Sequence, residues 1–238
     1  MKSRIASSVV VALAMCSMGV FAKEPTSAIV NVTWDVSLDA YGYVTLLTTR
    51  DTRVPKLHAR LENAIRSWHF KPGKINGQFA ATNTQLSTSL KISLVADGFE
   101  VRVRGAATGG GYGHTVMPAY PQFGASAKKQ GLVLLEVHYD AAGLVKSVAP
   151  YERAPKADGR LVNAAVTSVK TWTFRPEVVG GHSVAGAALV PVCFQLDGLQ
   201  EPDCDWRDEV SGESIGGSQS VALDPAATLE TDVIGRTL

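Results

Sequence analysis

Cysteine, aromatic residues and charge of one sign are all scarce in this sequence of 238 residues. It has three cysteines, 7% aromatic residues, and 23 lysines and arginines against 22 acidic residues. The last two cysteines, Cys193 and Cys204, lie eleven residues apart, a spacing that does not suit a four-ligand zinc site. The formal net charge of +1, without a basic cluster, argues against a nucleic-acid-binding protein.

Motifs of the common catalytic sites are also missing. The sequence contains no G-x-S-x-G, no P-loop and no H-E-x-x-H, and its five histidines are scattered without metal-ligand spacing. We therefore expect no enzymatic activity, no metal and no cofactor.

The first 22 residues have the pattern of a targeting segment. Lys2 and Arg4 precede an apolar run over residues 5–22, and Val20-Phe21-Ala22 offers a small-residue cleavage site. We expect a cleaved signal peptide over residues 1–22 and a periplasmic location for the rest. Because the run is just long enough to span a membrane, a retained inner-membrane anchor is the alternative.

The C-terminal part is expected to be an acidic, disordered tail. Residues 197–238 hold ten acidic residues and two arginines, a net charge of −8, whereas residues 23–196 have a net charge of +7. Such an acidic end is typical of a solvated, mobile segment. In an exported chain, Cys193 and Cys204 predict one disulfide, which would tie the start of this tail to the segment before it.

One phrase occurs twice in the sequence. Residues 67–78 read SWHFKPGKINGQ and residues 171–182 read TWTFRPEVVGGH, so both carry Trp-x-Phe-(Lys/Arg)-Pro with a glycine five residues after the proline. Each copy follows a helical apolar pattern, which follows two short alternating patterns joined by Asp-x-x-Gly, a turn signal. A further alternating segment follows each phrase. The predicted strands are residues 30–38, 43–49, 89–94, 133–139, 144–149 and 189–196, and the helices run over residues 57–68 and 161–172.

This order predicts an α+β fold with two tandem ββαβ units, each a small antiparallel sheet with one helix packed on it. The units are predicted over residues 23–104 and 117–196. Residues 105–116 between them are Gly-rich and are predicted to form a flexible linker.

The repeated phrase would end a helix, fill the core with aromatic rings and return the chain to the sheet. Proline cannot continue a helix, and a buried tryptophan contributes a large apolar surface. The residues predicted to serve these roles are Trp68, Phe70, Pro72, Trp172, Phe174 and Pro176.

The second unit resembles the C-terminal domain of TonB, the periplasmic part of the energy transducer that drives outer-membrane receptors. The resemblance covers residues 117–196. The matching pieces are the lead-in ending in Tyr120-Pro121, Gly131 opening VLLEVHYDAAGLV, LVNAAVTSVKTWTFRP, Gly181 and LVPVCFQL. The first unit, about residues 28–94, resembles the same domain without the Tyr-Pro lead-in.

The resemblance implies a module that binds proteins. Members of the family add a short extended peptide, the TonB box of a receptor, as a strand at a sheet edge. By analogy the docking edge is the last strand of the second unit, with Pro191 marking it as an edge; blunting the edge against aggregation is the other explanation of that proline. The residues expected in this edge strand are Leu189, Val190, Val192, Phe194 and Leu196.

The chain also departs from an energy transducer, because its first unit follows the targeting segment without a Pro-rich spacer. We therefore expect a periplasmic module that docks TonB-box-like peptides of outer-membrane receptors, with a link to TonB-dependent transport. The alternative is an envelope structural or interaction protein that pairs with another protein without energy transduction. A homodimer through the same edge stays open. A disulfide between Cys193 and Cys204 would fold residues 197–203 back as a flap, which we expect to cover part of the docking edge.

Overall fold

The computed structural model describes residues 27–49, 51, 55–96, 98–122, 128–207, 214–216 and 219–238. The predicted targeting segment, residues 1–22, lies outside the described residues. Among the described residues no helix has the length and hydropathy needed to cross a membrane.

Antiparallel strands make up most of the regular secondary structure of the described residues, and two helices accompany them. The helices are α1 (Pro55–Arg66) and α2 (Gly159–Val169). The strands are β1 (Ser27–Leu38), β2 (Val44–Thr48), β3 (Phe70–Lys71), β4 (Lys74–Ile75), β5 (Gln78–Phe79), β6 (Thr82–Val95), β7 (Gly98–Gly109), β8 (Gly111–Tyr112), β9 (Gly131–Tyr139), β10 (Val145–Pro150), β11 (Phe174–Arg175), β12 (Val178–Val179), β13 (His182–Ser183), β14 (Gly186–Phe194), β15 (Asp205–Arg207), β16 (Ser214–Gly216), β17 (Val221–Ala222) and β18 (Thr228–Leu229).

The first half of the chain forms a sheet in the order β2-β1-β6, and β7 pairs with the other edge of β6. The predicted alternation in β1 holds, because every second residue from Val32 to Leu38 is buried. Helix α1 lies on this face, with Leu57, Leu61 and Ile65 in the same core as β1. A strand pattern of period two and a helix pattern of period 3.6 therefore bury one apolar face each.

The second half has a sheet in the order β10-β9-β14-β17. Helix α2 contributes Leu161, Ala165 and Val169 to its core. The Asp158 carboxylate caps this helix by accepting from the Arg160 backbone N–H at 2.9 Å. The last strand of this half is predicted over residues 189–196. In the structure it begins three residues earlier, at Gly186, and ends at Phe194.

The predicted flexible linker is wrong for residues 105–112. Gly105–Gly109 complete β7 and pair with β6, and Gly111 opens β8, which pairs with β11 of the second half. The glycines allow close packing here, because a Cβ at Gly110 would lie 2.2 Å from the Tyr139 hydroxyl and one at Gly111 would lie 2.3 Å from the Gln85 side chain. The two halves also share a ladder between β12 and β6.

The C-terminal end is not a disordered tail over its last twenty residues. Residues 219–238, here called the C-terminal strap, pass from the second half to the first. Ala227 and Val233 are buried in the core of the first half, and β18 pairs with β3. Near the chain end, Leu238 N–H donates to the Val101 carbonyl at 2.9 Å. Apolar side chains at a few positions and backbone hydrogen bonds therefore outweigh the acidic character on which the prediction rested.

Candidate strand-docking edge

The repeated phrase has the same local structure in both halves. Phe70 N–H donates to the Gly42 carbonyl at 3.1 Å, and Phe174 N–H donates to the Gly143 carbonyl at 2.8 Å. Both glycines have positive φ, and a Cβ at either would collide with the carbonyl oxygen of the facing phenylalanine, at 1.7 Å and 2.0 Å. The phrase therefore ties the end of each helix to the turn of its hairpin.

Similar turn chemistry supports both hairpins. Asp39 Oδ1 accepts from the backbone N–H groups two and four residues later, and Asp140 Oδ1 does the same. Hydrogen bonds from Lys146 and the Leu144 backbone hold the pKa of Asp140 below its usual range. Asp39 and Asp140 therefore stabilise the turns of the two hairpins.

The aromatic residues of the phrase lie in the two cores. Trp68 and Phe70 are buried in the first core, and Trp172 and Phe174 are buried in the second. Trp172 Nε1 also donates to the Val116 carbonyl at 2.8 Å, so it fixes the segment leading into the second half. The family-motif residue Tyr120 stacks edge-on against Phe194 at 5.6 Å, whereas Pro72, Pro121 and Pro176 lie in loops.

Strand β14 lies where the docking edge is predicted. Its inner face presents Val190, Val192 and Phe194 to the core. Leu189 is buried on the opposite face, and Leu196 lies beyond the strand. The predicted side chains are therefore mostly core residues, and the strand's backbone is the part that can accept a further strand.

The outer edge of β14 can be traced from one hydrogen bond. Leu223 N–H donates to the Ala187 carbonyl at 2.8 Å, and residues two apart on a strand direct their backbone groups to the same edge. The backbone N–H and carbonyl groups of Leu189 and Cys193, and the carbonyl of Pro191, therefore point to the same outer edge. Pro191 has no N–H to offer, so it fits only at an edge position of this kind.

Part of this outer edge is already occupied by the chain itself. Strand β17 pairs with it through Ala222 opposite Ala188 and Val221 opposite Leu189. Among the described residues, this ladder stops at Leu189. The outward backbone groups of Pro191 and Cys193 lie past its end.

The predicted disulfide is present between Cys193 and Cys204, whose Cα atoms are 5.8 Å apart. The flap that it closes does not pair with the edge of β14. It leads to Trp206, which covers the outer face of the sheet by packing against the buried pair Leu134 and Leu189. The expectation that residues 197–203 cover the docking edge is therefore corrected: the segment that pairs there is β17.

In the first half, the corresponding edge is filled along its length. Strand β6 pairs with β7 from Gln85 to Val95 and with β12 at Thr82 and Asn83. The outer edge of β7 in turn bonds to the strap, since Val103 N–H donates to the Arg236 carbonyl at 2.9 Å. Among the described residues, the outer edge of β14 is therefore less fully paired than that of β6.

Glu177 is the buried acidic side chain at the junction of the two halves and the strap. It is 5% exposed. Its carboxylate accepts from the backbone N–H groups of Ala226 at 2.6 Å and Ala227 at 3.2 Å. Burial raises the pKa of Glu177, while these hydrogen bonds and one from Thr84 oppose the rise. Glu177 thereby holds the strap by its backbone.

No group of histidine, cysteine, aspartate and glutamate suited to a metal ion occurs among the described residues. Burial raises the pKa of Tyr139 to about 12, so its hydroxyl stays protonated at neutral pH. The geometry around Tyr139 and Glu177 is that of close packing between elements.

Comparison with known proteins places the match on the second half. Residues 116–196 match the model of the family described as Gram-negative bacterial TonB protein C-terminal. This segment is therefore similar in sequence to the TonB C-terminal domain. It begins at Val116, whose carbonyl binds Trp172, and ends two residues after β14.

Two curated relatives agree with this match. Protein tonB2 of Pseudomonas aeruginosa is 36% identical over 89 residues, which are 37% of this chain and 32% of that protein. Protein TonB of Vibrio cholerae is 28% identical over 83 residues, which are 35% of this chain and 33% of that protein. The chain thus spans about a third of the length of these relatives. No solved structure matches the chain significantly.

Sequence reasoning missed Val221 and Trp206, which lie against β14, and Glu177, which holds the strap. Val221 and Ala222 are too short a pair to give a strand signal, and Trp206 stands in an acidic run. Glu177 follows the second Trp-x-Phe-Arg-Pro motif directly, where the first copy has Gly73. That difference between the copies was the one available signal.

Proposed function

We propose that this protein is a periplasmic binding module of the TonB C-terminal type. It docks extended peptides, such as the TonB-box segments of outer-membrane receptors, by adding them as a strand to β14. Backbone hydrogen bonds would supply the affinity and alternating side chains the selectivity. The observation that carries the proposal is the outward-facing backbone of β14 past Leu189, within the segment that matches the family.

We also propose that the first half is a second unit of the same ββαβ architecture. Its support is the shared pairing of a hairpin glycine with the phenylalanine of the repeated phrase, Gly42 with Phe70 and Gly143 with Phe174. The two units then differ in their task. In the first unit β7 fills the edge that the second unit offers to a peptide, so we assign docking to the second unit alone.

The second candidate function is pairing with another envelope protein, without a receptor peptide and without energy transduction. The exposed end of the β6–β7 hairpin favours a protein contact there, since Leu94 is 61% exposed and Val95 is 48% exposed. A second copy of this chain could also pair with β14.

A titration with a panel of receptor TonB-box peptides tests the docking proposal. The protein carries its disulfide intact, and backbone amides are followed by NMR. We expect shifts concentrated on residues 187–194. Shifts confined to the hairpin at residues 92–101 would instead support the second candidate. An unchanged spectrum at millimolar peptide contradicts docking at the wild-type edge.

A further inference from the structure

We infer that the C-terminal strap is a built-in occupant of the docking edge, and that Val221 and Ala222 mimic the peptide for which the edge is shaped. This inference rests on the proposed docking function and deepens it, because it names both a regulation of the site and the chemistry of its ligand. The occupant is a segment of this chain, and the competing ligand is an extended peptide with a branched aliphatic residue followed by a small one.

The first argument is backbone geometry. Strand β17 runs antiparallel to β14 and takes the same outward hydrogen-bonding groups that an added strand would use, as the bond from Leu223 N–H to the Ala187 carbonyl demonstrates. Two strands cannot bond to one edge at the same residues. A peptide that extends over Ala188 and Leu189 must therefore displace β17.

The second argument is the apolar pocket that receives Val221. Leu134 and Leu189 are 3% and 2% exposed on the outer face of the sheet. Val221 packs against this pair together with Trp206 and Tyr151, and the two aromatic rings meet edge-on at 5.6 Å. The disulfide anchors the segment that carries Trp206 to β14, so the pocket belongs to the edge and stays when β17 leaves.

The third argument is the lack of space on the other side of β17. A Cβ at Gly109 would lie 2.3 Å from the Cβ of Ala222, so the side chain of Ala222 lies directly against the backbone of β7. A larger residue at this position would meet that backbone. The pocket and the close approach together select an aliphatic residue followed by a small residue.

The fourth argument is the uneven attachment of the strap. Beyond β17 the strap is held by the Glu177 carboxylate, by a hydrogen bond from the Thr108 hydroxyl to the Ala227 carbonyl, and by the burial of Ala227 and Val233. The pairing with β14 covers two residues only. Strand β17 can therefore leave the edge while the rest of the strap stays in place, and the edge opens without loss of the fold.

Opening the edge by mutation tests the inference in the full-length chain. Val221→Asp places a charge in the apolar pocket, and Leu223→Asp is the matched control, because Leu223 is 38% exposed in the same segment. The probes are a synthetic peptide of residues 219–225, Gln-Ser-Val-Ala-Leu-Asp-Pro, and receptor TonB-box peptides. Faster hydrogen exchange of the Leu223 amide reports that β17 has left.

We expect Val221→Asp to bind both probes about tenfold more tightly than the wild type, because a site that is mostly closed loses apparent affinity in proportion to its open fraction. Leu223→Asp should bind like the wild type. Val221→Ala disturbs the fold less. It should also bind both probes more tightly than the wild type, but with a smaller increase in affinity than Val221→Asp. A probe peptide with aspartate at the position of Val221 should bind none of the variants.

The outcomes separate the inference from the function on which it rests. If TonB-box peptides bind the wild type and Val221→Asp equally, the strap inference fails and peptide docking stands. If the 219–225 peptide gains affinity and TonB-box peptides bind neither the wild type nor Val221→Asp, the strap inference stands and receptor docking fails. If the Leu223 amide exchanges freely in Val221→Asp and neither probe binds, the edge accepts no strand and both are overturned.

Discussion

Removing the Glu177 carboxylate should release the C-terminal strap. In Glu177→Ala, the backbone N–H groups of Ala226 and Ala227 lose their acceptor. Ala227 is fully buried, so water cannot readily replace the lost partner there. The strap then keeps its other hydrogen bonds to the first half and the buried side chains of Ala227 and Val233, but it loses the acceptor that fixes its middle.

The size of the effect follows from two opposing contributions. Hydrogen bonds to a charged acceptor contribute about 1.5–3 kcal/mol each. Burial raises the pKa of Glu177, so removing the carboxylate also removes a desolvation cost that offsets part of the loss. We expect the free energy of unfolding to fall by roughly 2–3 kcal/mol, which lowers Tm by roughly 4–12 °C in a chain of this size.

Thermal unfolding and native-state hydrogen exchange measure this prediction together. The amides of Val103 and Leu238, which bond across the strap and β7, should exchange faster in Glu177→Ala. Glu177→Gln keeps one acceptor oxygen, so its free energy of unfolding should lie between those of the wild type and Glu177→Ala. An unfolding free energy within about 0.5 kcal/mol of the wild type, with unchanged exchange at Leu238, would refute the assigned role.

The pH dependence has a definite sign. The folded-state pKa of Glu177 is raised above its ordinary value, so the folded protein binds this proton more tightly than the unfolded chain does. The contribution of Glu177 to stability therefore rises as the pH falls from neutral through the folded-state pKa toward the unfolded-state value. The stability difference between the wild type and Glu177→Gln should shift in favour of the wild type over that range.

Two further perturbations test the second half. Gly143→Ala should destabilise more than Gly181→Ala, because both have positive φ but only Gly143 faces the Phe174 carbonyl; denaturant unfolding should give an excess cost of at least about 1 kcal/mol, and equal costs would contradict the close contact. Reducing the bond between Cys193 and Cys204 should lower the unfolding free energy by roughly 2–3 kcal/mol, measured with and without reductant, and no change would show that the loop is held by other contacts.

The spacing of apolar residues was enough to predict most of the helices and strands around the repeated phrase, because each of them buries a single face. Strand β1 alternates strictly, and α1 places Leu57, Leu61 and Ile65 on one stripe. Local spacing encodes such faces directly. The same patterns predicted the positions of Trp68 and Trp172, because each of these two tryptophans continues the apolar stripe of the helix before it.

Long-range contacts explain what the sequence did not reveal. Gly109 and its neighbours look like a flexible linker, yet they pack against Ala222, Tyr139 and Gln85, which are distant in sequence. The strap was not predicted because the net charge was taken over residues 197–238 as a whole. Seven of the ten acidic residues in that range precede residue 219, so the strap itself is much less acidic. The few apolar side chains of the strap show no regular spacing in the sequence, because each one packs at a separate place on the first half.

The two halves differ in the length of the strand that covers one edge of the sheet. In the first half the edge of β6 is closed by β7, a strand of 12 residues. In the second half the edge of β14 is closed by β17, a strand of two residues. Because the cost of freeing an edge rises with the number of backbone hydrogen bonds broken, freeing the edge of β6 costs more than freeing the edge of β14. Under the proposed docking function, the length of the covering strand then decides which half binds a peptide.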